Sequence, residues 1–449
     1  MDEADARGSF PSRRRFLRSS AGMAALAASI GSGHSELEAG ESDVESSTRP
    51  QQAALTIREV DAYPVYINQR SEGLFDPPDF SSDDDPARWR YGGPFSQIPS
   101  AIIAVIKTDE GITGFGMGAG GSVATEIIHG HLRQLLVGAN PLNVEQLWDQ
   151  MYSSALFYGR RGVFAMALSA VDNALWDIAG KSADQPVHRL IGGQAGAQSG
   201  GRVANGSGGQ PRDRIAVYQS GGSVAQGRAS GIRHFKRFLR VGPETSNAAR
   251  DRAINGVFDV REVMGPDGNL MIDCVSRTGT VEWAVDFAER LRPADLYFME
   301  EMLSPDDVFG YAELVRRIGG AGPRWTRVAC GEHEYTQYGF DVLVRLNSAE
   351  VLQPDMTWCG GLTAGRRIAR LVEDANLEIN PHRGGSLWGL PLALTSTTCV
   401  MAESFPEGSA LLEAMTPEFE NGDYLAPDAP GFGTRLTEAM VLDHRLEQA

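Results

Sequence analysis

The sequence predicts an α/β protein, a (β/α)8-type barrel preceded by a smaller α+β capping domain. Three observations point there. Five short apolar runs each end in a chemically potent group: LMID at Leu270–Asp273, LYFMEE at Leu296–Glu301, VACGE at Val328–Glu332, VLQPD at Val351–Asp355 and EINPH at Glu378–His382. Their end groups, Asp273, Glu300, Glu332, Asp355 and His382, recur every 23 to 32 residues. That is the length consumed by one strand, one helix and two short loops. Ahead of these repeats, a hairpin pattern and a long helical stretch occupy Leu55 to Gly180, and these read as the cap.

In chain order, residues 1–52 are expected to be a targeting segment and linker. Ser12–Arg18 reads SRRRFLR and is followed by a mildly apolar stretch from Ala21 to Ile30. This pattern resembles a twin-arginine export signal, so a periplasmic or extracytoplasmic location is expected. The apolar stretch is too short to span a bilayer, and no stable membrane anchor is expected. Ser35–Gln52 is acidic, Ser-rich and poor in apolar residues, which suits a linker.

The cap is expected over residues 53–190. Leu55-Thr56-Ile57, continuing through Tyr63–Ile67, reads as one alternating strand, and Asn68–Gln97, rich in Gly, Pro and Asp, as a loop long enough to be a lid. Ile102–Thr108 and Thr113–Met117 flank Asp109-Glu110-Gly111, a hairpin signal. From Ala124 the apolar period is helical, and the wide apolar stripe of Phe164–Trp176 suits a helix buried between cap and barrel.

The barrel is expected over 191–435, with a C-terminal tail at 436–449. Gln194–Pro211 is a Gly/Ser/Gln-rich surface excursion. Arg214–Tyr218 and His234–Leu239 are the first two barrel strands, and the five chemical runs supply the next five. Beyond Cys399 the pattern blurs until Ser409–Leu412, and Asn421–Arg435 reads as loop.

The composition fits a soluble globular chain, with 42% hydrophobic and 22% charged residues. A net charge of −17 argues against a nucleic-acid partner. Strand ends of such a barrel share one face, so Asp273, Glu300 and Glu332 should converge as an all-oxygen site for a hard cation such as Mg2+. The next two repeats supply Asp355 and then His382. A carboxylate on one imidazole nitrogen fixes the tautomer and raises the basicity of the other. A cation beside such a base suits removal of a weakly acidic proton alpha to a carboxylate.

These residues resemble the enolase superfamily of the mandelate racemase/muconate lactonizing type, and within it the rhamnonate dehydratase-like sugar acid dehydratases. The resemblance is carried by LMIDC (Leu270–Cys274), Glu300–Glu301, GEH (Gly331–His333), LQPDMTWCGGLT (Leu352–Thr363), Pro381–His382 and PGFG (Pro430–Gly433). ALSAVDNALWDIAGK (Ala167–Lys181) and PVHRLIGG (Pro186–Gly193) add the link between the domains.

The resemblance implies a Mg2+-dependent hydro-lyase. Asp273, Glu300 and Glu332 hold the ion, and His382, tuned by Asp355, takes the C2 proton of an aldonic or aldaric acid. Loss of the 3-hydroxyl then gives a 2-keto-3-deoxy acid. It also implies an eighth-strand glutamate, for which distance from His382 favours Glu403 and local wording favours Glu413. Lys236, Arg90 and His333 are the expected substrate contacts, although Lys236 could equally be a solvated strand-end charge, and His333 could brace the metal shell. Glu301, next to Glu300, is expected to point to the other side of its strand. Cys274, Cys330, Cys359 and Cys399 match packing thiols and are expected to be free.

Many relatives carry a second lysine where this chain has Phe238, and that departure argues against a two-base racemase or epimerase and against a cycloisomerase. A non-catalytic sugar-acid-binding barrel is the rival from another class, though binding alone needs no poised base. The expected partners are the small sugar acid and further copies of the chain in a homo-oligomer.

Overall fold

The computed structural model describes residues 55–65, 67, 101–193, 211–239, 241–275, 279–319, 325–404 and 409–446. The segments expected to be an export signal and a lid, and Arg90, lie outside them. Residues 54–449 form one compact unit.

The cap is an antiparallel sheet of β1 (Ile57–Val65), β2 (Ala101–Thr108) and β3 (Thr113–Ala119), in that order. The hairpin closes where expected, with Lys107 opposite Thr113. The strand read from Leu55 through Ile67 forms β1, two residues shorter at each end. β3 lies against the helix Val163–Ser182, and its alternating glycines allow the contact. A Cβ on Gly116 would stand 2.0 Å from the Ala170 carbonyl oxygen, so any side chain there forces the two elements apart.

Val163–Ser182 is long and apolar enough to cross a bilayer, but 83% of its apolar window is buried inside the protein. Its few polar groups tie cap to barrel. Asp172 takes hydrogen bonds from the Thr363 amide (2.8 Å) and hydroxyl (2.6 Å), and Asn173 donates to the carbonyls of Met117 (3.1 Å) and Met356 (2.9 Å). The barrel loop beginning at Met356 is therefore pinned by the cap.

The barrel strands are β4 (Arg214–Ser220), β5 (His234–Phe238), β6 (Leu270–Asp273), β7 (Leu296–Glu300), β8 (Val328–Cys330), β9 (Val351–Leu352), β10 (Glu378–Ile379) and β11 (Ala402–Ser404). They pair in parallel from β4 through to β10, and β11 pairs with the free side of β4, bringing the last strand back to the first. The helices between successive strands form the outer layer.

β9 and β10 are only two residues each. Gln353-Pro354 and Asn380-Pro381 follow them, and proline cannot donate to a ladder. Asp355 and His382 thus sit on turns just past the strands. Asn421–Arg435, read as loop, contains β12 (Asp423–Leu425), which pairs antiparallel with β4. A three-residue strand has too few residues to show a period. The C-terminal segment returns to the cap, where the Leu446 amide bonds the Pro64 carbonyl at 2.8 Å.

Candidate active site

Side chains alternate along a strand, and this places the chemistry. Tyr218, Met271, Phe298, Ala329, Val351 and Met401 form a buried apolar plug inside the barrel. Ser220, Asp273, Glu300, Gly331, Gln353 and Glu403 lie two residues further along the same strands or just past their ends. They form the next layer up, at the face where the strands end.

Asp273 and Glu300 are neighbours in register on β6 and β7. Glu332 joins them because Gly331 turns at φ 128. A Cβ on Gly331 would meet the Phe340 ring at 2.9 Å and the Gln353 amide at 3.1 Å, so only glycine fits. The carboxylate oxygens of Asp273, Glu300 and Glu332 lie within 4.8 Å of one another. Burial pushes their carboxyls up, to about 7, about 8 and about 7 respectively. Glu300 Oε1 is buried without a hydrogen-bond partner, an expensive state for a carboxylate oxygen. An orphaned oxygen in an all-oxygen cluster fits a hard divalent cation.

Lys236 is not a solvated strand-end charge. It is 1% exposed, with Nζ 2.6 Å from Glu300 Oε2, 2.8 Å from Glu403 Oε1 and 3.7 Å from Asp273 Oδ2. Burial works against its charge, but Glu300 and Glu403 outweigh that and hold the ammonium well above its ordinary range. Between the two candidate acids, Glu403 lies inside the barrel on β11, whereas Glu413 is exposed on a short helix. The Ser220 hydroxyl also donates to Glu403 Oε1, and the Arg383 amide donates to Oε2 at 3.0 Å. Burial would raise the Glu403 carboxyl, yet Lys236 and His382 hold it down at about 2.

His382 Nδ1 is 2.7 Å from Asp355 Oδ2. The other Asp355 oxygen takes the Thr357 amide and hydroxyl, both at 2.6 Å, so this carboxylate is fixed in plane. The contact to Asp355 assigns the proton to Nδ1 and leaves Nε2 facing Glu332 Oε2 at 3.5 Å. Burial opposes the imidazolium, but Glu332 and Asp355 raise His382 to about 9.

Strand alternation fails at Glu301. Its φ of 47° swings the side chain back to the site, where Oε1 meets His333 Nδ1 at 2.6 Å. His333 is also 3.4 Å from Glu332 Oε1, so it braces the carboxylate cluster. Sequence reasoning missed Trp358 and Arg383. The Trp358 ring lies 5.1 Å from that of His382 and 5.9 Å from that of His333. The four cysteines are buried and free.

Two family models match the chain: "Enolase C-terminal domain-like" over residues 222–440, and "Mandelate racemase / muconate lactonizing enzyme, N-terminal domain" over 95–192. An L-rhamnonate dehydratase of Saccharopolyspora erythraea is 31% identical over 354 residues, spanning 77% of this chain and 85% of that protein. Among solved structures, an L-rhamnonate dehydratase from Gibberella zeae aligns with a TM-score of 0.72 at 25% identity, covering 88% of this chain and 97% of that one. A racemase from Streptomyces coelicolor A3(2) with bound magnesium aligns with a TM-score of 0.67 at 26% identity, covering 87% and 100%. The chain belongs to the enolase superfamily, in its mandelate racemase/muconate lactonizing type.

Proposed function

We propose that the protein is a Mg2+-dependent dehydratase of an aldonic or aldaric acid. The observation that carries this reading is the shared position of Glu332, which belongs to the carboxylate cluster and also faces Nε2 of the Asp355-backed His382. Asp273, Glu300 and Glu332 would hold the ion. When bound, it supplies positive charge that fixes the substrate carboxylate and favours negative charge developing on it. His382 Nε2 takes the C2 proton, while Asp355 keeps the Nδ1 proton in place and stabilises the imidazolium. The same imidazolium returns that proton to the departing 3-hydroxyl, so water leaves. The resulting enol tautomerises to a 2-keto-3-deoxy acid. Racemisation would need a second base across the site. There Lys236 is consumed by three carboxylates, and Phe238, 41% exposed, has no proton to exchange.

The purified, Mg2+-loaded protein, screened against aldonic and aldaric acids with semicarbazide, should yield 2-keto products from at least one of them, L-rhamnonate included in the set. EDTA should abolish the signal. Inversion at C2 with no 2-keto product would overturn the dehydratase reading in favour of a racemase.

The raised carboxyls add a pH signature. An acid whose folded pKa lies above its unfolded value binds more protons when native, so stability falls as pH rises through that interval. Without metal, the cluster's contribution should therefore decline between about pH 4.5 and 8. Below this range protons compete with the ion; above it, bare carboxylates repel one another and welcome it. The Mg2+-induced rise in melting temperature should be larger at pH 8 than at pH 6, with proton release on binding. Equal rises at both pH values would count against this cluster as the site.

A further inference from the structure

Trp358 and Arg383 have no part in the proton chemistry above, yet both stand against its base. Arg383 directly follows His382, and its guanidinium carbon lies 5.6 Å from the centre of the Trp358 ring. That ring in turn packs beside His382. Arg383 adopts φ 53°, a left-handed conformation that side-chain-bearing residues rarely take. It is held there by the hydrogen bond its backbone N–H donates to Glu403 Oε2. Strained backbone that its surroundings hold in place clusters at functional sites.

The guanidinium's surroundings are equally telling. Asp273, Glu300, Glu301, Glu332, Asp355 and Glu403 crowd this face of the barrel, each paired with a residue named above. Among the described residues, the half-buried Arg383 side chain makes no hydrogen bond or close ion pair, and its charge acts on the Asp355 carboxylate only at longer range. A guanidinium carries five N–H donors in a fixed fork, and in a half-buried setting those donors call for oxygen acceptors.

We infer that Arg383 and Trp358 form a subsite for the distal, oxygen-bearing end of the substrate, from C4 outward. The inference rests on the sugar-acid reading. The carboxylate end is fixed by the Asp273–Glu300–Glu332 cluster, and C2 must come within reach of His382 Nε2. The remaining carbons then extend past the residues flanking His382. Trp358 offers an aromatic face to the C–H side of the chain, and Arg383 donates to its oxygens. Those oxygens belong either to hydroxyls, as in an aldonate, or to a terminal carboxylate, as in an aldarate.

The test compares Mg2+-loaded wild type with Arg383→Met and Arg383→Lys on three probes: racemic glycerate, which ends at C3, L-rhamnonate, and D-glucarate. Affinity is read by calorimetry, which needs no turnover, and kcat and KM are read wherever turnover occurs. Arg383→Met should weaken L-rhamnonate binding about tenfold or more, the scale of a lost hydrogen bond to a charged group. Glycerate binding should change less than about twofold, since the missing contact lies beyond its last carbon. Arg383→Lys should recover part of the loss, because it restores the charge without the fork. A larger loss on D-glucarate than on L-rhamnonate would identify a terminal carboxylate as the preferred partner, and comparable losses would identify hydroxyls; both uphold the subsite. Equal losses on glycerate and the six-carbon acids would overturn it, since Arg383 would then be acting through His382. So would wild type that binds the six-carbon acids no better than glycerate. Tight binding without 2-keto product would defeat the dehydratase reading alone, and the calorimetric arms would still decide the subsite.

Discussion

His382→Asn should cut 2-keto product formation by about 100- to 10,000-fold, the usual worth of a general base, or more where the base starts the reaction. Asparagine approximates the near half of the imidazole and can still donate an amide hydrogen to Asp355, so the turn after β10 has no reason to move. What it lacks is a basic nitrogen where Nε2 faces Glu332. Exchange of the C2 hydrogen in D2O should disappear together with turnover. Binding of the acid should survive, because Asp273, Glu300 and Glu332 are untouched. Asp355→Asn should cost less, since it loosens the orientation of the imidazole and leaves the base in place. A two-base racemase would keep exchange from one enantiomer, and a binding protein would have no turnover to lose. Near-normal turnover in His382→Asn would place the base elsewhere.

The barrel was legible because its repeat is written twice, once in strand-length apolar runs and once in the acid or imidazole that ends each run. The convergence of Asp273, Glu300, Glu332, Asp355 and His382 follows from that repeat alone. Three features were not legible, each for a physical reason. Glu301 was assigned to the far side by strand alternation, but its left-handed φ breaks the period, and nothing in the letters EE announces it. Lys236 reads the same whether its strand end is solvated or enclosed. Its fate depends on Glu403, which arrives by the pairing of β11 with β4 from more than 160 residues away. Trp358 and Arg383 sit on turns, where side-chain direction follows loop geometry rather than any period. That Glu403 rather than Glu413 lies inside the barrel likewise follows from strand pairing, which spacing along the chain only approximates.

Lys236→Met should be the most destabilising single change at this end of the barrel. The ammonium is enclosed by Glu300, Glu403 and Asp273, above the plug of Tyr218 and Phe298. Methionine matches the stem in volume, so packing is largely kept and the loss is one of charge. Removing one partner of a buried ion pair typically costs about 3–5 kcal/mol, because the other is left uncompensated. Against a total stability of about 5–15 kcal/mol, that is a large fraction.

The variant has one cheap relief, which is protonation. Glu300 is already raised to about 8 in the intact protein, but Glu403 is held at about 2 with Lys236 as its chief support. Without the lysine, Glu403 must bind a proton to remain buried. The deficit in melting temperature relative to wild type should therefore be small near pH 5 and grow toward pH 8. Adding Glu403→Gln removes the orphaned charge, and the double variant should recover part of the loss, a positive coupling in the double-mutant cycle. A deficit equal at both pH values and unrelieved by Glu403→Gln would show that the lysine acts through its stem, and that Asp273, Glu300 and Glu403 do not need its charge to share one buried layer.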